Sequence, residues 1–102
     1  MPDANFERYL EEVAAFPVPD SDTKAALLSD ARQGDEVARK RLIEGLLAFI
    51  ANAATAGRPE GMPAIDAIQE ANVVLTRLVD NPAVPDPRAV LRQAVAAHLR
   101  SL

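Results

Sequence analysis

Proline placement constrains this chain more than any other single feature. After Pro2, the prolines fall in three groups: Pro17 with Pro19, Pro59 with Pro63, and Pro82 with Pro85 and Pro87. Proline lacks a backbone donor and clashes with the preceding helical turn, and it pushes the residue before it toward extended geometry. No helix runs through such a group. The stretches between them are rich in alanine, leucine and glutamate, which are strong helix formers, and they show almost no strand alternation. Gly34 adds one more break. The expected fold is all-α, a compact bundle of about five helices forming a single domain over residues 1–102.

Each segment has its own start and stop signals. The first is expected from about Asn5 to Phe16, with Phe6, Tyr9, Leu10, Val13 and Phe16 at helical spacing. The second follows a cap at Asp20 or Ser21, presents Ala25, Leu27, Leu28 and Ala31, and stops at Gly34. Asp35 caps the third, which runs to about Thr55 or Ala56 and is closed by Gly57. Its apolar stripe of Ala38, Leu42, Gly45, Leu46, Phe49, Ile50 and Ala53 spans about 140° of arc, so that face is expected to be buried. Gly45, in mid-helix on that stripe, costs roughly 1 kcal/mol in propensity, which predicts another backbone packed closely against it. Pro63 is expected in the first turn of the fourth helix, from about Ala64 to Asp80. Asp86 and Pro87 open the fifth, with Leu91, Ala94, Val95, Leu99 and Leu102 on one face.

Twenty of the 102 residues are alanine, and only Phe6, Tyr9, Phe16 and Phe49 are aromatic. The core is therefore expected to be built from small side chains and leucine. With no cysteine there is no disulfide framework, thiolate zinc site or cysteine nucleophile. A single histidine, His98, does not furnish a histidine-rich metal site and gives little basis for a catalytic triad. No enzyme activity, cofactor or metal is expected. The chain has no apolar run of about 18 residues, and its start carries Asp3, Glu7, Glu11 and Glu12 where a secretory signal would be basic. These features point to a soluble, cytoplasmic protein. At net charge −4 and a pI near 4.9 the molecule repels phosphate, and its basic run Arg39-Lys40-Arg41, flanked by Glu36 and Glu44, reads as a solvated helix face. Autonomous binding to DNA is not expected.

The fourth segment carries the candidate site. Ala64, Ile68, Ala71, Leu75 and Leu78 share an apolar arc, with Ile65 and Val79 on its flank. Opposite lie Asp66, Gln69, Glu70, Asn72, Val73, Thr76, Arg77 and Asp80. Within that arc Asp66, Gln69, Val73 and Thr76 recur at three- and four-residue spacing and form one stripe. Amide and hydroxyl groups that both donate and accept, set around an aliphatic contact, suit a protein interface with a hydrogen-bonded rim. Asp66 and Glu70 are one turn apart but have no pocket to separate their pKa values, so no catalytic pair is assigned to them. His98, on the apolar face of the fifth segment, reads as a hydrogen-bonded core or rim residue.

The segment Ala31 to Glu44, with Gly34-Asp35-Glu36 and Arg41-Leu42-Ile43-Glu44 inside it, followed by Ala67 to Leu75, resembles the housekeeping sigma factors of bacterial RNA polymerase in order and spacing. Its most specific piece is Asp66-Ala67-Ile68-Gln69-Glu70-Ala71-Asn72, a D-x-I-Q-E-x-N string on an amphipathic helix. Tyr9-Leu10-Glu11-Glu12-Val13 and Phe16-Pro17 are similar to the family's lead-in to its second region. The likeness covers about residues 8–82, with 83–102 a degenerate terminal helix. It implies the helical fold of the second-region domain with its preceding segment.

The resemblance also implies a partner. In the family this helix docks on the clamp coiled coil of the largest RNA polymerase subunit, and Asp66, Gln69, Glu70, Asn72 and Val73 match docking positions. Thr76 stands where the family usually has methionine. The family's next helix is rich in aromatic residues that melt the promoter and stack flipped bases. Its counterpart here, Val90 to Leu102, has no aromatic. Together with the later promoter-reading domains, which the resemblance does not reach, this implies a degenerate, truncated sigma-like modulator of transcription that binds the core without opening DNA. Such a modulator could compete with a sigma factor or pair with a second sigma-like chain as one subunit of a split one, and two alternatives stay open: a sigma mimic whose partner is an anti-sigma factor or another regulatory protein, and a homodimeric helical domain paired through the Val73 stripe.

Overall fold

The computed structural model describes residues 4–102, and Asp3, counted above among the acidic N-terminal groups, lies outside them. Five helices follow in order: α1 Ala4–Ala14, α2 Ser21–Arg32, α3 Glu36–Gly57, α4 Ala64–Asp80 and α5 Pro87–Arg100. No strand occurs among the described residues. The fold is all-α, as the proline groups predict.

Local chemistry accounts for the helix ends. Asp20 accepts a 2.7 Å hydrogen bond from the Thr23 amide, and Asp35 accepts one of 3.1 Å from that of Ala38. At the end of α2 the Asp35 amide donates to the Asp30 carbonyl and the Gly34 amide to that of Ala31. This paired closure needs a left-handed residue between them, and Gly34 supplies it at φ 101°. Asp86 caps α5 with Pro87 in its first turn.

Four boundaries differ from expectation, the first being that α5 stops at Arg100, so that Leu102, expected on its apolar face, lies beyond it and is exposed. α1 stops at Ala14 because Pro17 forces Phe16 away from helical geometry, leaving a short turn in which Phe16 donates to the Val13 carbonyl. Gly57 is the last residue of α3 and has no left-handed twist. The helix is ended by Arg58, extended at ψ 127° ahead of Pro59. Pro63 sits one residue before α4, where its carbonyl accepts from the Asp66 and Ala67 amides.

α3 is the central element. It packs against α1, α2, α4 and α5, while α4 and α5 also pack on each other. Ile50, Ile68, Leu75, Leu91 and Leu99 are the largest fully buried side chains, and Ala51, Ala54, Ala67 and Ala71 have no exposed surface. Small side chains on α3 and α4 allow close helix approach without voids. No aromatic is fully buried. Phe6, Tyr9 and Phe16 are half-buried, and Phe49, expected within the buried stripe, is also half-exposed. Its ring is covered by the guanidinium groups of Arg88 and Arg92, 5.0 and 5.6 Å from the ring centroid. Ala25, expected on the inner face of α2, is exposed, and Leu27 is the buried residue there.

The close approach predicted at Gly45 is present. A side-chain carbon built there would lie 2.7 Å from Pro19 Cδ and 3.3 Å from the Pro17 carbonyl oxygen. The α1–α2 connector therefore lies directly against α3 at this residue.

Candidate functional site

The inner arc of α4 comprises Ala67, Ile68, Ala71, Val74, Leu75 and Val79, all buried. Val74 and Ala67 join the arc read from the sequence. The outer arc is left to solvent at Asp66, Gln69, Val73, Arg77 and Asp80. Val73 is 43% exposed, a large fraction for an aliphatic residue on an otherwise well-buried helix.

The six sequence-predicted residues separate into three groups. Asp66, Gln69 and Val73 are exposed, and no side-chain hydrogen bond among the described residues holds them. Glu70 turns toward α5, its Oε2 lying 2.7 Å from His98 Nε2. This places His98 at the rim, bonded to a carboxylate. Asn72 and Thr76 are half-buried on the opposite edge, toward α1. The Asn72 amide nitrogen lies 3.5 Å from the Tyr9 hydroxyl, and its Oδ1 is fully buried with no partner. Thr76 donates 3.0 Å back to the Asn72 carbonyl, one turn earlier. Asn72, Val73, Thr76 and Arg77 line a shallow open depression on the outer face. Arg77 thus belongs with the site, although only its position on the outer arc signalled it.

Two arginines from other helices fix α4 in place. Arg32, at the end of α2, donates from Nε to the Val79 carbonyl at 3.1 Å and from Nη2 to the carbonyls of Leu78, Asn81 and Val84. A helix C-terminus carries unsatisfied carbonyls and a partial negative charge, and a guanidinium answers both. Arg39 forms a two-point contact with Asp80, with Nε to Oδ1 at 2.8 Å and Nη2 to Oδ2 at 2.9 Å. The hydrogen bond from Arg39 holds the Asp80 carboxyl below its ordinary pKa. It also offsets an acidic residue placed at the unfavourable end of the helix dipole. Of the basic run read as a solvated face, Lys40 and Arg41 are exposed, whereas Arg39 has this structural role. Nothing local in the sequence signals Arg32, whose acceptors lie 46 to 52 positions away.

Among the described residues no group of three histidine, cysteine, aspartate or glutamate side chains is arranged to hold a metal, and no helix is long and apolar enough to cross a membrane. The outer face of α4 presents one aliphatic residue, Val73, between polar ones.

No family model matches the chain. Over 72 residues, 71% of its length, it is 33% identical to the RNA polymerase sigma factor SigA of a Bacillus species, and the matched stretch makes up 19% of that protein. The chain spans about a fifth of the length of this relative. It carries a sigma-factor-like region, on an all-helical fold.

Proposed function

We propose that this protein binds the core of RNA polymerase through the outer face of α4 and modulates transcription in the cytoplasm without melting promoter DNA. The observation that carries the reading is a conjunction. The D-x-I-Q-E-x-N string that resembles the family's docking helix lies on α4, and its Asp66 and Gln69, with Val73 just beyond, are exposed and unclaimed by the rest of the fold. The docking partner is the clamp coiled coil of the largest subunit. Val73 supplies the apolar contact, with Asp66 and Gln69 as its polar rim. Glu70 and Asn72 border the contact and are oriented by His98 and Tyr9.

The second half of the reading rests on α5. Base capture in single-stranded nucleic acid draws about 1 to 3 kcal/mol per base from aromatic stacking. α5 has no phenylalanine, tyrosine or tryptophan, and its one imidazole, His98, is bonded to Glu70. Two of its arginines are already stacked on Phe49.

The test is binding of the purified chain to core polymerase and to the isolated clamp coiled coil. Gln69→Ala and Val73→Asp should each weaken capture by about tenfold or more, as expected for truncating a central interface contact. Absence of micromolar binding, or binding indifferent to both substitutions, rejects the proposal. A mass in solution of twice 10.9 kDa that reverts to the monomer with Val73→Asp would favour pairing of two copies through the same face.

A further inference from the structure

A second surface lies away from α4. Ser21, Lys24 and Leu28 of α2, Leu42 and Leu46 of α3, and the Pro85 to Arg88 turn enclose a half-open cleft of about 280 Å³. Its floor is aliphatic: Leu42 and Leu46 are almost fully buried beneath it, with Leu28 half-buried on the wall. Its mouth is cationic. Lys24 and Arg88 line it, and Arg92 continues the charge along α5, sharing the Phe49 ring with Arg88.

These cations outnumber the carboxylates beside them: Lys24 interacts with the nearby Asp20, and Asp86 stands in the lining. Among the described residues Arg39 pairs with Asp80 and His98 lies against Glu70, and neither contact involves Lys24, Arg88 or Arg92. Each carboxylate at hand also caps a helix: Asp86 accepts from the Ala89 amide, and Asp20, next to Ser21, accepts from that of Thr23. A guanidinium stacked on a ring face keeps its in-plane N–H donors free, and those donors match a carboxylate. A molecule of net charge −4 thus sets three cations, Lys24, Arg88 and Arg92, against two carboxylates, Asp20 and Asp86, around one apolar recess.

We propose that this cleft is a docking site for an acidic segment of a partner protein, with one bulky apolar side chain seated on Leu28, Leu42 and Leu46 and flanking carboxylates on Lys24, Arg88 and Arg92. The recess falls just short of the size that encloses a whole small-molecule ligand and is open on one side, which fits one anchoring side chain of a larger partner. Nucleic acid is the poorer occupant, because the floor offers no ring for stacking and the only aromatic nearby is already covered by arginine. The cleft shares no residue with the outer face of α4, so this site and the polymerase-docking face succeed or fail separately.

The probe is a panel of short labelled peptides in which leucine, isoleucine, phenylalanine or methionine is flanked on both sides by aspartate and glutamate. Controls replace the anchor by serine or the acids by their amides, and an oligothymidine of equal charge stands for nucleic acid. Binding is followed by anisotropy and by amide shifts of isotope-labelled protein. At least one acidic-apolar peptide should bind with Kd of about 10 to 100 µM, with shifts centred on Lys24, Leu28, Leu46 and Arg88. Lys24→Glu with Arg88→Glu should weaken it about tenfold or more, and the neutral pair Lys24→Gln with Arg88→Gln should weaken it less, both with unchanged helical circular dichroism. Either control peptide binding as well as its parent overturns the proposal. Tighter binding of the oligothymidine, or no saturable binding by any panel member up to about 1 mM, does so equally.

Discussion

At residue 45 two tendencies of the chain oppose each other. Helix propensity alone favours alanine over glycine in mid-helix by roughly 1 kcal/mol. The Pro17 carbonyl and the Pro19 ring occupy the space that a methyl group would need, and a proline ring cannot rotate out of the way. Gly45→Ala should therefore destabilise the fold by about 1 to 3 kcal/mol despite the gain in propensity, read as a lower midpoint in urea. An unchanged or raised midpoint would show that the connector yields. Arg32 is the other residue on which much depends. Its substitution by lysine keeps the charge and loses the planar fork that reaches several carbonyls at once. The expected cost is about 1 to 3 kcal/mol, with faster amide exchange at the carboxyl end of α4. The close approach at Gly45 is legible from sequence, since glycine on an apolar stripe has few other reasons to be there. Arg32 is not, because its partners are backbone carbonyls far along the chain, and those carry no residue signature.

Among the elements, α4 separates stability from recognition. Its inner arc is buried and its carboxyl end is held by Arg32 and Arg39, so the outer residues are free to change. Gln69→Ala and Val73→Asp should alter thermal stability by no more than about 0.5 kcal/mol while weakening polymerase binding, and a variant that loses both together would place the residue in the core. Glu70→Ala should differ, since it also breaks the contact with His98. The Arg39–Asp80 pair gives a pH signature with a defined sign. Its carboxyl has a folded-state pKa below the ordinary value, so its contribution is present above the ordinary carboxylate range and is lost as pH falls through the depressed folded value. Asp80→Asn should flatten that part of the acid-denaturation curve. The pair is largely exposed, so its contribution is under about 1 kcal/mol. Caps and proline boundaries were readable because they act over three or four residues. The allocation of Glu70 to α5 and of Asn72 to α1 was not, because it depends on which helices flank α4.

Over the whole molecule, charge and ring placement say more than totals do. A net charge of −4 predicts repulsion from DNA, yet α5 has three arginines and no acidic residue. Weak, salt-sensitive association with polyanions should therefore be orientation-specific. Charge reversal at Arg88 and Arg92 should abolish any such signal in a low-salt retention assay, and reversal at Arg41 on α3 should leave it intact. The half-buried position of Phe49 is not legible in the sequence for a related reason: its place on the helical wheel is apolar, but the cover over it comes from guanidinium groups of another helix.

The position of Tyr9 has an optical consequence. The chain has no tryptophan and one tyrosine, and that ring stands beside Asn72 at the border between α1 and the outer face of α4. Near-ultraviolet absorption and emission of the unlabelled protein therefore report on the seating of α1 and hardly at all on the aliphatic centre. A bound partner that lifts or presses α1 is visible through the tyrosine without any dye, whereas melting of the core must be followed in the far ultraviolet.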